Sequence, residues 1–463
     1  TGDKANQACL PCHEKNVKDA AGHSRHKADG DGSKCVACHM PMTEFARMRR
    51  SDHSMRPPAP AATLAFKSPN ACNLCHQDKD AAWSDDWVRK WHGDGRQRTV
   101  LERARLVDAA RKGDWSRLPD MLAQITIAGR DEALANSLIR LLRACEDDRM
   151  WPAILKSLND PSPLVRSSAA ETLERRLTPE AIDALGKAAR DEYRLVRVRA
   201  AQALARVPAA SLSAQARKDV EGAMAEFMAS AQSRPDDWAS QYNLGNFHMA
   251  RNDPARAVAC FAAAAKLDPT SVPVRVNASL AYNALQQNDK AEASLREALK
   301  IEPASAAANF NLGLLLAELG RMDEAEAALR AAMKADLKMA AAAYNLGVLA
   351  AGRKNLDEAI LWCRRAYDLR PHETKYGYTL GFYLYQKPNA DESIRVLRQV
   401  IEREPADASP YALLAEIYER LGRLDDAKSL CERAATSRTL SPADRQRFEA
   451  RLAELLKARK RRE

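Results

Sequence analysis

Proline stands at positions 235, 269, 303, 371 and 405, at intervals of 34 residues or twice that, with Leu337 in the one remaining place of the series. The same period carries Leu244-Gly245, Leu312-Gly313, Leu346-Gly347, Leu380-Gly381 and Leu414-Ala415. Ala257, Ala291, Ala325, Ala359 and Ala427 keep it as well, while Ala278-Ser279 and Ser393 depart from the pattern without breaking its phase. A fixed period of this length marks a stacked array of helix pairs, with small residues where helices touch and a proline after the second helix. No feature of the chain constrains its fold more. Each pair buries its apolar face only against its neighbours, which leaves a concave face for partners.

The pattern is that of the tetratricopeptide repeat, and it predicts about six repeats over 238–439. A half repeat near 218–235 precedes them, and a helix near 442–460 caps the stack. From about residue 98 Ala, Leu, Arg and Glu dominate at helical spacing. Two segments there resemble paired-helix repeats of the HEAT type: Leu158-Asn159-Asp160-Pro161 leading to Leu164-Val165-Arg166, and Asp191-Glu192-Tyr193-Arg194 leading to Leu195-Val196-Arg197. The expected fold class is all-α: a small N-terminal domain over 1–97, HEAT-like helices over 98–210, and a tetratricopeptide solenoid with its cap over 211–463.

The N-terminal part reads differently. Residues 1–76 hold only eleven of Val, Ile, Leu, Met, Phe, Trp and Tyr, too few to offset chain entropy by apolar burial. They do hold Cys9-Leu10-Pro11-Cys12-His13, Cys35-Val36-Ala37-Cys38-His39 and Cys72-Asn73-Leu74-Cys75-His76. Cys-x-x-Cys-His is the attachment signature of a c-type haem: two thiols add to the macrocycle and the histidine falls under the iron. Structural zinc does not require a histidine after every pair, a disulfide leaves the three histidines without a purpose, and a thioredoxin-like site carries one motif between strand and helix. The expectation is three covalent haems on Cys9, Cys12, Cys35, Cys38, Cys72 and Cys75, with His13, His39 and His76 as proximal ligands. Such a cofactor would itself supply the missing core.

Seven of the nine histidines lie in the first 92 residues. His23, His26, His53 and His92 are candidates for the opposite face of each iron, and Met40, Met42, Met48 and Met55 are the thioether alternative. Met40 adjoins its own proximal histidine and cannot reach over that haem. His248 and His372 fall in the repeats, where solenoid surface or groove is the default. Arg47, Arg49, Arg50 and Arg56 are either a solvated basic stretch or partners for haem propionates, and Asp52 is placed to orient His53. Cys145, Cys260, Cys363 and Cys431 read as small buried residues of helices.

The chain resembles a family of exported multihaem cytochromes with a tetratricopeptide tail. The matching residues are His23-Ser24-Arg25-His26, Cys35 to Pro41, Asp52 to Pro58, Asn70 to His76 and the segment from Trp87 to Trp91. The haem part is similar to the class of cytochrome c554 and pentahaem nitrite reductase, without the Cys-x-x-Cys-Lys motif of the latter. The resemblance implies that His23, His26 and His53 are distal ligands and that His92 is spare.

The formal charge of +10 and pI near 9.1 do not indicate nucleic-acid binding, since haem propionates would offset much of it. No apolar run approaches the ~18 residues that span a bilayer. A start at Thr1 fits a mature exported form, and haem attachment points to the periplasm or beyond. The expected function is electron transfer by a multihaem cytochrome rather than an enzyme. Its solenoid would dock a redox partner, or copies of itself, with the basic tail from Lys457 to Arg462 as a solvated helix end. The alternatives are an oxidoreductase with one five-coordinate haem and a self-assembling conductive scaffold.

Overall fold

The structure is a computed structural model that describes residues 5–10, 12–45, 48–53, 55–387 and 390–460. Arg47 and the tail residues Arg461 and Arg462 lie outside the described residues. The chain forms two compact units, Thr1–Glu226 and Phe227–Glu463.

The second unit holds the repeats. Its first helices are Trp238–Ala250, Val272–Ala284, Ala306–Glu318, Ala340–Gly352, Thr374–Gln386 and Ala408–Arg420. They alternate with second helices Pro254–Leu267, Asn288–Ile301, Met322–Ala335, Leu356–Leu369, Ala390–Arg403 and Leu424–Ala435. Caps start several of them: Asp237 accepts from the Ser240 amide, Asp253 from Arg256, and Ser305 from Ala308. The alanine column is fully buried, and the Leu-Gly pair sits at the closest approach of each hairpin. A Cβ on Gly347 would come within 2.5 Å of the Cys363 sulfur, so only glycine allows that contact. Ser393 replaces a column alanine and satisfies its hydroxyl by donating to the Gly381 carbonyl at 2.6 Å. At three of the five junctions between repeats the first helices touch each other more than the second helices do, so first helices line the inner face of the stack. Helix Pro442–Lys460 covers the last repeat, with Phe448 against Tyr411.

In the first unit, helices Leu118–Thr126, Glu132–Leu142, Pro163–Leu173, Pro179–Ala188 and Arg194–Ala203 carry the HEAT-like part. The arginine of each Leu-Val-Arg does the same job. Arg166 donates to both oxygens of Asp191, at 2.7 and 3.0 Å, and to the carbonyls of Asp160 and Pro161, at 2.7 and 3.1 Å. Arg197 donates to both oxygens of Glu226, at 3.0 and 2.8 Å, and to the carbonyls of Asp191 and Glu192, at 2.8 and 3.0 Å. The planar fork ties a turn to the next element, which lysine could not do with the same geometry.

The N-terminal stretch is made of short helices, among them Ala20–Ser24, Cys35–His39, Pro60–Phe66, Ala71–Cys75 and the longer Ala81–His92. A two-stranded antiparallel hairpin, Met42–Phe45 with Met48–Ser51, departs from the all-α expectation. Four-residue strands are too short for an alternating pattern to be read beforehand. Pro60, Ala61, Ala71 and Val88 are the buried apolar residues described before residue 98. Polar bonds fill in. Gln97 accepts from the Ala61 amide at 2.9 Å and donates to Asp85 at 2.8 Å, and Asn6 accepts from the Cys35 amide at 2.8 Å. The all-α solenoid expected over the rest of the chain stands; a haem-cored domain is not shown.

Candidate functional site

Two places collect residues suited to binding. The first is the N-terminal cluster. A cavity of about 120 Å³ is lined by His23, His26, Cys35, Cys38, His39 and Cys72, together with Trp91 and His92. The helix Cys35–His39 is one turn that presents two thiols and an imidazole, and Ala71–Cys75 with His76 repeats the arrangement. His23 and His39 face each other with ring centroids 6.2 Å apart and planes 12° from parallel. His26 faces His76 at 6.1 Å and 37°. At these separations the rings do not touch. His76 packs on Trp83 at 4.8 Å, and Trp83, Trp87 and Trp91 form a ladder one turn apart along Ala81–His92.

Burial, and then the neighbouring His23, lowers the affinity of His39 for a proton. Burial pushes the Cys38 thiol up to about 11, with Cys72 and Cys75 adding to it, and raises Cys35 and Cys72 too. These are protonated thiols at neutral pH, unlike the depressed thiolates of a redox-active dithiol.

Other expected residues fall elsewhere. Cys9 and Cys35 are neighbours, while Cys12 and Cys75 are exposed. His53 is exposed and its Nδ1 meets the Ser51 carbonyl at 2.8 Å. Met42, Met48 and Met55 are exposed. Arg56 pairs with Asp131 at 2.8 Å. His372 is exposed near Glu404, and His248 is buried. Cys145, Cys363 and Cys431 are buried as expected, and Cys260 is half-buried.

The second place is the inner face of the repeats, which sequence reading passed over although the same period marks it. Asn243, Asn277, Asn311 and Asn345 stand 34 residues apart on successive first helices. Asn311 and Asn345 each donate one amide hydrogen to a carbonyl of their own helix, Ala307 and Ala341, at 2.8 Å. Asn277 donates to the Tyr242 hydroxyl at 3.0 Å and to Asn246 at 2.7 Å, across to the preceding repeat. Beside this column, Leu280, Val348 and Phe382 are exposed at a second shared register.

Family models agree with this architecture. HEAT repeats match residues 119–205, and tetratricopeptide repeats match 239–271, 277–336, 323–374 and 384–455. The chain therefore carries both kinds of repeat. No curated protein matches it. Among solved structures it is similar to PilF of Pseudomonas aeruginosa (18% identity over 48% of this chain and 99% of that one, TM-score 0.38). It is similar to MamA of Desulfovibrio magneticus (25%, 36% and 96%, TM-score 0.33). It is also similar to YrrB, a TPR protein with an unusual peptide-binding site (20%, 40% and 96%, TM-score 0.33). These likenesses concern the repeat arrangement and nothing finer.

The matches correct the functional expectation. The family models are all of repeat families, and every matched stretch starts at residue 119 or later. Among the described residues, no group of three or more His, Cys, Asp or Glu side chains is placed to hold a metal ion. Three covalent c-type haems, electron transfer, a catalytic five-coordinate haem, a conductive scaffold and a kinship with cytochrome c554 or pentahaem nitrite reductase are without support in these findings. What the family models support is a chain built of HEAT and tetratricopeptide repeats. The physical reason is that a pentapeptide specifies one helical turn bearing two thiols and an imidazole; it does not specify an occupant. His23, His26, Cys35, Cys38, His39 and Cys72 stand together as a candidate site, and covalent haems on them are not supported.

Proposed function

We propose that the chain is a protein-interaction scaffold whose tetratricopeptide stack holds a segment of a partner polypeptide along its inner face. The asparagine column carries this reading. A carboxamide offers a donor and an acceptor, the complement of the C=O and N–H of a peptide backbone. In Asn311 and Asn345 the bond to the helix carbonyl fixes the side chain and leaves Oδ1 without a partner among the described residues. Successive first helices pack roughly 10 Å apart, close to the rise of three extended residues, so a strand laid along the column would meet one carboxamide about every third residue. The exposed Leu280, Val348 and Phe382 would take its side chains. Recognition through the backbone gives affinity with broad sequence tolerance.

The test is a random dodecapeptide phage library panned on the full chain. Enriched peptides are expected to bind the double variant Asn311→Ala, Asn345→Ala about tenfold more weakly, for a loss of about 1.4 kcal/mol. Equal binding to parent and double variant overturns the reading.

A further inference from the structure

The end of the inner face differs from the rest. One register of the first helices carries Tyr242, Val276, Phe310, Tyr344 and Tyr378, and then Ala412. Where the large side chain is missing there is a groove of about 880 Å³. Tyr378, Ala408, Ala412, Leu413 and Phe448 are among its apolar lining. The rim is acidic. Glu404, Asp407, Glu416 and Asp444 line the groove against two guanidiniums, Arg447 and Arg451. Arg451 is already spent on Glu419 at 2.7 Å and on the Ala412 carbonyl at 3.2 Å. Arg447 lies 3.6 Å from Asp444, and Glu416 pairs with Arg420 at 2.5 Å.

We infer that this groove is the anchor pocket of the scaffold: it takes one bulky apolar side chain of an extended partner segment, flanked by lysine or arginine. The inference rests on the inner-face reading above and adds to it the feature that gives selectivity. An aromatic or large aliphatic group there would replace the side chain that the register lacks and pack against Tyr378 and Phe448. Buried anchors of this kind dominate interface energetics. Excess carboxylate on the rim favours flanking cations and disfavours acidic segments.

The probe is a fluorescein-labelled dodecapeptide of glycine and serine with a central tryptophan between two lysines, titrated with the full chain by fluorescence anisotropy. Two sister peptides replace the tryptophan by alanine, or the lysines by glutamate. The tryptophan–lysine peptide is expected to bind at least about tenfold more tightly than either sister. Ala412→Tyr, which restores the residue type of Tyr344 and Tyr378, is expected to weaken it by the same factor and to leave the alanine sister unchanged. Glu416→Lys, on the surface, is expected to shift preference toward the glutamate sister, so the inference stays testable if Ala412→Tyr folds poorly. An alanine sister that binds as well as the parent, or no binding of the tryptophan peptide, overturns the pocket. If the Asn311→Ala, Asn345→Ala chain then weakens both peptides, the inner-face reading survives alone. If neither pair of variants changes any peptide, both fall.

Discussion

The first 97 residues and the tetratricopeptide stack solve the burial problem by opposite means. In the stack every 34-residue unit brings its own apolar contacts: Leu312, Leu346, Leu380 and Leu414 are all buried at one register, and the alanine column beside them is fully enclosed. In the N-terminal stretch a few small or medium apolar residues are buried, Pro60, Ala61, Ala71 and Val88, and Gln97, Asp85, Asn70 and Ser84 are buried with them. The stack is held by dispersion and by water release, which tolerate modest changes of shape. The N-terminal stretch is held by directional bonds, each of which leaves an unsatisfied group when broken. Non-directional packing can be repeated; a polar network cannot be slid along a sequence.

The largest effect separating the two is expected from Leu414→Ala. The side chain is 1% exposed, and its truncation should cost about 3 kcal/mol, read as a lower urea midpoint. A loss below about 1 kcal/mol would show that the stack relaxes around cavities and is not close-packed. Next comes Arg166→Ala in the HEAT-like part, where the arginine and Asp191 side chains are 10% and 13% exposed. Removing one partner of a buried pair should cost about 3 kcal/mol, and the double variant with Asp191→Ala should cost less than the sum of the two single changes. Strict additivity would break the picture of a turn clamp. Gln97→Ala should cost about 2 kcal/mol by orphaning the Ala61 amide and an Asp85 oxygen, and should speed hydrogen exchange at Ala61.

The smallest effect is one of pH. The folded state holds His39 below its ordinary value of 6.5, so below that pH the unfolded chain takes up the proton first and stability falls on acidification. The folded state holds Cys38 above its ordinary 9.0, at about 11, so the unfolded chain loses its proton first and stability falls again as pH rises through that window. Alkylation by iodoacetamide should therefore be slower at Cys38 than at the exposed Cys12 up to pH 9. Equal rates would mean that the cluster is open to water.

What could be read beforehand follows the same division. The helix pairs of the stack were legible because one period repeats the same requirement at Leu244, Leu312, Leu346 and Leu380, and each copy confirms the others. The Leu-Val-Arg segments were recognised as repeat turns, but the job of Arg166 and Arg197 was not, since their partners lie 25 and 29 residues away. The asparagine column has the same period as the prolines, but a helix-surface asparagine has no packing requirement to mark it out. In the N-terminal stretch His23 lies near His39 and His26 near His76, whereas the expected haems spread these histidines over three irons. Their occupant was not legible, because three short motifs fix local geometry and leave chemistry open. The hairpin beginning at Met42 was missed for lack of length.

The helix Pro442–Lys460 occupies the face on which a seventh pair would have stacked, and Phe448 rests there on Tyr411. Between the turn at Pro269 and the turn at Pro405, successive units present similar packing surfaces, so whole units can be gained or lost there. Variation in the reach of the inner face is thus confined to whole-repeat steps, while the groove beside Ala412 travels unchanged with the cap.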